Sequence, residues 1–313
     1  MNSPSFRINA YVLAADPAWI EASVRSYYDL VQTLVVSYDE RHRSWTGTPI
    51  AVDECLARLR KIDCAGKMRF CPGRYSRPEH SPMHNDTFQR QCAHREAGVG
   101  ADWVLQLDTD ELLPSAEALV RMLRLAEVNG LEAVEWPMRV LYRQLADGRY
   151  LEVCGADRRD HFEYPGPVAV RQSAKLVHAR RTDGPFLRPV VMGDDRSLQV
   201  RHAPRAGEHR ENLLQSSEAI LHNSWARSSA SIRSKIGSWS HNEGWKSWAY
   251  YYCRWLPARF AWELLRDFHP FERGLWPALK VSTSVPRSLL NNAIAPSAGD
   301  EIRSSPRIHE KLR

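Results

Sequence analysis

"WVLQLDTDELLP", residues 103–114, decides how the rest of the chain is read. It opens on alternating apolar residues, Trp103, Leu105 and Leu107, the period of a strand. It then sets three carboxylates, Asp108, Asp110 and Glu111, within four positions and closes on Pro114. Like charges at the end of a buried strand repel one another, so positive charge is expected between them.

Around this stretch, strand-like and helix-like runs alternate. "RINAYVLA" (7–14), "QTLVVSYDE" (32–40), "KMRFCPG" (67–73) and "DWVLQLD" (102–108) are short and apolar, and read as strands. Between the first two, Asp16 and Pro17 resemble a helix cap and first turn, followed by Ile20, Val24, Tyr27, Tyr28 and Val31 at helical spacing. "PIAVDECLARLRKI" (49–62) and "NDTFQRQCAHREAGVGA" (85–101) are helical, the second capped by Asn85 or Asp86. "SAEALVRMLRLAEVNG" (115–130) is an amphipathic helix with Ser115 as its cap. This alternation predicts an α/β fold with a doubly wound, mostly parallel sheet. Ligands of such sheets bind beyond the carboxyl ends of the strands. Asp39 and the 108–111 acids fall at that edge.

The second half is less regular. "LEAVEWPMRVLYR" (131–143), "SAKLVHAR" (173–180) and "SLQVRHA" (197–203) read as strands. From 207 the pattern turns helical, through "EHRENLLQSSEAILHNSW" and on to "CRWL" at 256. The expected organisation is an α/β region over 1–205, a helical C-terminal extension over 206–285 and a loosely ordered tail over 286–313, rich in Ser, Pro, Asn and charge. Neither a GxGxxG nor a GxxxxGK[ST] turn is present, which argues against Rossmann dehydrogenases and P-loop NTPases.

Composition is that of an ordinary globular protein, with 43% hydrophobic and 26% charged residues among 313. The formal net charge of +6 favours anionic partners such as phosphorylated small molecules, but the charge forms no long runs, so no nucleic-acid partner is expected. The six cysteines include no CxxC pair and are read as reduced thiols of a cytoplasmic protein. The N-terminal stretch does not read as a signal peptide, and no window approaches 18 apolar residues, so any membrane contact would be peripheral, at the inner face.

A divalent cation would explain the acids. Mg²⁺ and Mn²⁺ favour hard oxygen ligands, commonly one or two carboxylates plus substrate phosphates. An Asp-x-Asp where a strand breaks into a loop can turn both carboxylates toward one ion, which then bridges to a diphosphate. A helix-start acid, favoured by the dipole, is the simpler explanation for Glu111.

"ADWVLQLDTDELLP", preceded by "NDTFQRQCAHREAG", resembles glycosyltransferase family 2 and its relatives of the GT-A fold, well over residues 7–142 and more loosely to about 280. The resemblance implies transfer of a sugar, with inversion, from a nucleotide-diphosphate donor, a UDP- or GDP-sugar, to the hydroxyl of a glycan or lipid-linked acceptor. It implies that Asp108 and Asp110 bind the Mn²⁺ or Mg²⁺ and the donor diphosphate. It places Asp39 or Glu40 at the nucleoside, and Arg90, with Asp86 the weaker choice, near the donor. The family's acid-acid-Gly-Ser turn after strand two is replaced by "SYDERHRSW".

"ILHNSWARSSASIRSKIGSWSH" (220–241) looks like the "His, small, aromatic, x, Arg … Ile … Lys" stretch of such enzymes. A late histidine there commonly completes the metal site, which designates His222, with His202 as competitor. Arg227 and Lys235 would steady the diphosphate. Glu111 would orient a neighbouring ligand or acceptor. The general base is expected among Asp194, Asp195 and Glu163. "GWKSWAYYYCRWLPARFAWELLRDFHPFERGLWP" (244–277) interleaves aromatic and basic residues. It suits a membrane-interface belt, an acceptor surface, or helices packed onto the core. The rival functions are a nucleotidyltransferase and a catalytically inactive nucleotide-sugar or glycan-binding module.

Overall fold

The structure, a computed structural model, describes residues 6–238, 244–283 and 285. The first half alternates as the sequence predicts: β1 (Ile8–Leu13), α1 (Ile20–Arg25), β2 (Leu34–Asp39), α2 (Val52–Ile62), β3 (Met68–Gly73), α3 (Pro82–Gly98) and β4 (Trp103–Leu105). Then come β5 (Glu111–Leu112), α4 (Ala116–Val128), β6 (Ala133–Glu135), β7 (Met138–Gln144), β8 (Tyr150–Cys154), β9 (Pro167–Arg171), β10 (Leu176–His178), β11 (Arg181–Thr182) and β12 (Phe186–Val191). The last described part carries α5 (Leu198–Arg201), β13 (Glu208–Leu214), β14 (Ile220–His222), α6 (Ser229–Ser238), α7 (Trp245–Tyr250), α8 (Ala258–Ala261) and β15 (Ala278–Val281).

An eight-stranded sheet runs β13-β12-β6-β9-β4-β1-β2-β3. Its strands are parallel except β9, which is antiparallel to both β4 and β6. The pleat of β1 divides the core. Ile8, Ala10 and Val12 pack on one face with residues of α1, α2 and α4. Tyr11 and Leu13 pack on the other with Ala93 and Ala97 of α3. Helices therefore cover both faces, which is why β1 is buried at all six positions.

A second, five-stranded sheet, β15-β8-β7-β14-β5, begins immediately after the acidic turn. Its short β5 pairs antiparallel with β14, setting Glu111 opposite His222 and Leu112 opposite Leu221. Tyr142, Leu151 and Val153 from this sheet form a second core with Ile232, Ile236 and Trp255.

Several local expectations are corrected. Residues 207–222 hold no α-helix: β13 and β14 occupy most of them, with one 3-10 turn at Ser216–Glu218 between, so the 206–285 segment is mixed. The leucine and isoleucine spacing there suits a helix, but pairing with β12, β7 and β5 overrides local preference. The strand expected over 197–203 is the short α5, because Asp194 Oδ1 accepts from the Ser197 N–H at 3.0 Å and turns the chain. The α3 cap is Ser81, whose Oγ accepts from the His84 N–H at 3.2 Å ahead of Pro82, so Asn85 and Asp86 lie inside the helix and are buried. Asp16 closes a turn by accepting from the Ala18 N–H at 2.9 Å, and α1 starts only at Ile20. The tail from 286 lies outside the described residues. Among the described residues no helix is long and apolar enough to cross a membrane.

Candidate active site

The parallel strands deliver Asp108 to the carboxyl edge of the large sheet. Gln106 fixes the strand end: its Nε2 donates to the Pro167 and Arg180 carbonyls at 2.9 and 2.8 Å, and its Oε1 accepts from Tyr11 OH at 2.7 Å. The chain then turns at Thr109–Asp110 into β5, so the three acids leave the turn toward different partners.

Each acid meets its own arginine. Arg90, on α3, donates through Nη2 to Asp108 Oδ1 and Oδ2 at 2.9 and 3.2 Å, and through Nε to Asp86 Oδ1 at 2.7 Å. Arg180, which follows β10, grips Glu111 with both Nη atoms at 2.9 and 2.6 Å. Arg227, which follows β14, donates to Asp110 and also pairs with Asp16. Glu111 Oε2 further accepts from the Asp108 N–H at 3.1 Å, which shapes the turn. The sequence assigns Arg180 only to a strand-like run and Asp16 only to a helix cap, neither to the site. Three crowded carboxylates, Asp110 and Glu111 buried and Asp108 half-buried, demand compensating cations, but nothing in the spacing identifies which arginines supply them.

Register of β5 against β14 brings His222 to Asp110, with Nε2 3.7 Å from Oδ2. That is too long for a hydrogen bond. Burial drives the imidazole down to about 4, leaving it neutral near pH 7 with a free lone pair. Burial and the adjacent Asp108 and Glu111 push the Asp110 carboxyl up to about 7, against Lys235. Burial pushes the Asp108 carboxyl up too, but Arg90 and Arg180 outweigh it and hold it below the ordinary value. Burial, then Arg227, lowers the Lys235 ammonium to about 7, and its Nζ donates to the Ser224 carbonyl at 2.7 Å.

Four of the seven buried side-chain polar atoms without a partner among the described residues gather here: Arg90 Nη1, Tyr27 OH, His222 Nδ1 and Asn223 Oδ1. Asn223 is tied to the turn by its N–H, which donates to the Asp110 carbonyl at 2.8 Å. Tyr27 follows α1, whose Ser23 Oγ donates to the Asp108 carbonyl at 3.0 Å. Buried polar atoms are ordinarily satisfied, so such a concentration suits a site built to receive a polar ligand.

No three His, Cys, Asp or Glu side chains among the described residues group closely enough to hold a metal ion alone. What the chain offers is a carboxylate–imidazole pair, Asp110 and His222, beside Asp108. That donor set fits a hard divalent ion whose remaining ligands are water and substrate phosphate oxygens, the usual manner of Mg²⁺. His222 Nδ1 lacks the outer partner a metal-bound histidine ordinarily has.

Other expected residues are placed elsewhere or otherwise employed. Asp39 Oδ1 accepts from the Arg41 and Arg43 N–H groups at 3.0 and 3.2 Å, and Oδ2 from Tyr75 and Ser76 at 2.8 and 3.0 Å. It thus binds together two loops at the carboxyl edge. Glu40 is exposed and pairs with Arg74. His202 is exposed after α5. Asp194 and Asp195 follow β12, three strands from β4 in the sheet order, or roughly 14 Å in the sheet plane. Asp194 accepts from Tyr164 OH at 3.0 Å and caps its own turn, while Asp195 is exposed.

Glu163 accepts from the Trp276 indole N–H, and burial pushes its carboxyl up to about 7. A carboxyl raised in the native state favours folding below its ordinary value of 4.5, and this is lost as pH climbs through about 7. Glu163→Gln keeps the acceptor for Trp276 and removes the titration. It is expected to flatten the fall in unfolding midpoint between pH 4.5 and 7 and to leave the variant more stable than the parent above that window. Superimposable midpoint–pH curves would contradict this.

No family model matches the chain, and no curated protein is a significant match. Among solved structures it is similar to 4-diphosphocytidyl-2C-methyl-D-erythritol synthase from Anaerococcus prevotii, at 12% identity and a TM-score of 0.33, over 53% of this chain and 70% of that one. It is also similar to mannose-6-phosphate isomerase from Helicobacter pylori, at 13% identity and a TM-score of 0.28, over 46% and 58% of the two chains. Likenesses this distant identify no family and carry no functional argument. What stands is a mixed α/β protein with a large parallel-rich sheet and an arginine-compensated acidic turn at its carboxyl edge.

Proposed function

We propose that the chain is a metal-dependent glycosyltransferase of GT-A-like architecture, moving a sugar from a UDP- or GDP-linked donor to an acceptor hydroxyl. The observation that carries this reading is the β5–β14 pairing, which sets neutral His222 against Asp110 beside the Arg90-bound Asp108. Asp110 and His222, with Asp108, would hold Mn²⁺ or Mg²⁺. The ion would supply Lewis-acid neutralisation of the leaving diphosphate.

The chain's own residues do the rest. Arg227 and Lys235 add positive charge on the side of Asp110 from α6 and the turn before it, where a diphosphate gains negative charge as the sugar departs. Arg90 holds Asp108 ionised and oriented, and Asp86 holds Arg90. Glu111 is a positioning residue: Arg180 and the Asp108 N–H occupy its carboxylate, so it fixes the turn rather than handling the acceptor's proton. Asp39 braces the two loops that would flank the nucleoside.

A nucleotidyltransferase would share the acidic strand end. It ordinarily cradles a triphosphate on a glycine-rich, basic turn after the first strand. Here that turn is "AADPAW", and Asp16 within it pairs with Arg227. Sugar transfer is therefore favoured. Calorimetric titration with a panel of nucleotide sugars and nucleoside triphosphates, with and without Mn²⁺, separates the readings. Mn²⁺-dependent binding of one or more nucleotide sugars is expected. Preference for a triphosphate, or binding indifferent to metal, would remove the proposal.

A further inference from the structure

The 244–277 stretch contributes to the core in part only. Tyr251, Trp255, Ala258 and Phe268 are buried, and the Arg143 guanidinium lies 3.5 Å over the Trp255 ring. From the same short elements Trp245, Trp248, Tyr252, Phe260, Leu264 and Phe271 are exposed, at 75, 38, 57, 80, 80 and 43%. Every exposed large aromatic side chain among the described residues lies in this one segment. A segment apolar on both sides is ordinarily covered on both. The buried side chains anchor it, so the exposed ones cannot turn inward without unpacking the second core.

We propose that this face docks on an anionic lipid bilayer, an inference that stands whether or not the sugar-transfer reading holds. Charge selects this occupant. At exposed positions from 245 to 273, basic residues outnumber acidic ones by five to three. Arg254 and Arg259 make no ion pair with a described residue, and Arg259 stacks 4.4 Å over the Phe260 ring. The whole chain carries +6, so a second copy would meet this face with like charge, whereas anionic headgroups complement it. Aromatic rings beside guanidinium groups suit the boundary between headgroup and acyl chain.

Flotation of the full chain with phosphatidylcholine–phosphatidylglycerol vesicles, and with phosphatidylcholine alone, tests this. Association with the mixed vesicles is expected, with a blue shift of tryptophan emission and release at high salt. Phe260→Ala/Leu264→Ala and Arg254→Gln/Arg259→Gln are each expected to weaken partitioning about tenfold or more, with unfolding midpoints unchanged because all four side chains are exposed. Three results would overturn the proposal: no flotation with either vesicle, equal partitioning onto both, or a lipid-independent dimer dissociated by Phe260→Ala.

Discussion

Asp110→Ala is expected to lower metal-supported donor turnover by on the order of a thousandfold, with no rescue at saturating Mn²⁺. The size of the effect follows from what converges on this one carboxylate. His222 Nε2 faces its Oδ2 at 3.7 Å, and Arg227 touches the same atom. Removing it leaves His222 with only the Arg90-bound Asp108 as a carboxylate partner for the ion. The fold is expected to survive, because Arg227 retains Asp16 and a buried acid crowded by Asp108 and Glu111 is lost. Steady-state hydrolysis of the preferred nucleotide sugar against Mn²⁺ concentration, with a thermal unfolding curve beside it, measures both halves. Near-parental turnover in a folded Asp110→Ala protein would take the Asp-x-Asp turn out of the mechanism.

The second large effect is on stability. Arg180→Met is expected to destabilise the chain by about 3–5 kcal/mol, because Glu111 is fully buried and loses both hydrogen bonds from its guanidinium partner. In a thermal scan this amounts to roughly 10 °C. Arg180→Met combined with Glu111→Leu is expected to recover part of the loss, since no buried charge is then stranded. Recovery stays partial because the Asp108 N–H loses its acceptor. An unchanged midpoint in Arg180→Met would mean that Glu111 is satisfied another way and is free for a direct role in the reaction.

The split between these two experiments shows where the sequence was legible. The parallel half was readable because β1 to β4 are short apolar runs punctuated by helices whose apolar faces match the sheet. The strand end was readable because Leu105, Leu107 and the following acids break the pattern together. The counter-charges were not. Arg180 and Arg227 reach the turn across 69 and 117 residues of chain, and only the fold brings them there. His222 was visible as a histidine closing an apolar run, but its meeting with Asp110 depends on a two-residue strand, β5, too short to carry a periodic signal. The 207–222 region misled because its leucines suit a helix, while sheet pairing decided the outcome. Asp194 read equally well as a base and as a turn acid, and its hydrogen bonds to Tyr164 and Ser197 show the turn.

Diffraction from crystals grown with Mn²⁺ and UDP or GDP, with anomalous data collected at the manganese edge, would locate the ion relative to Asp110 and His222. One anomalous peak is expected within coordination distance, about 2.0–2.3 Å, of Asp110 and His222, with diphosphate oxygens completing the shell and Arg227 and Lys235 turned toward it. A nucleotide bound elsewhere, or at this edge with no manganese between Asp110 and the diphosphate, would contradict it.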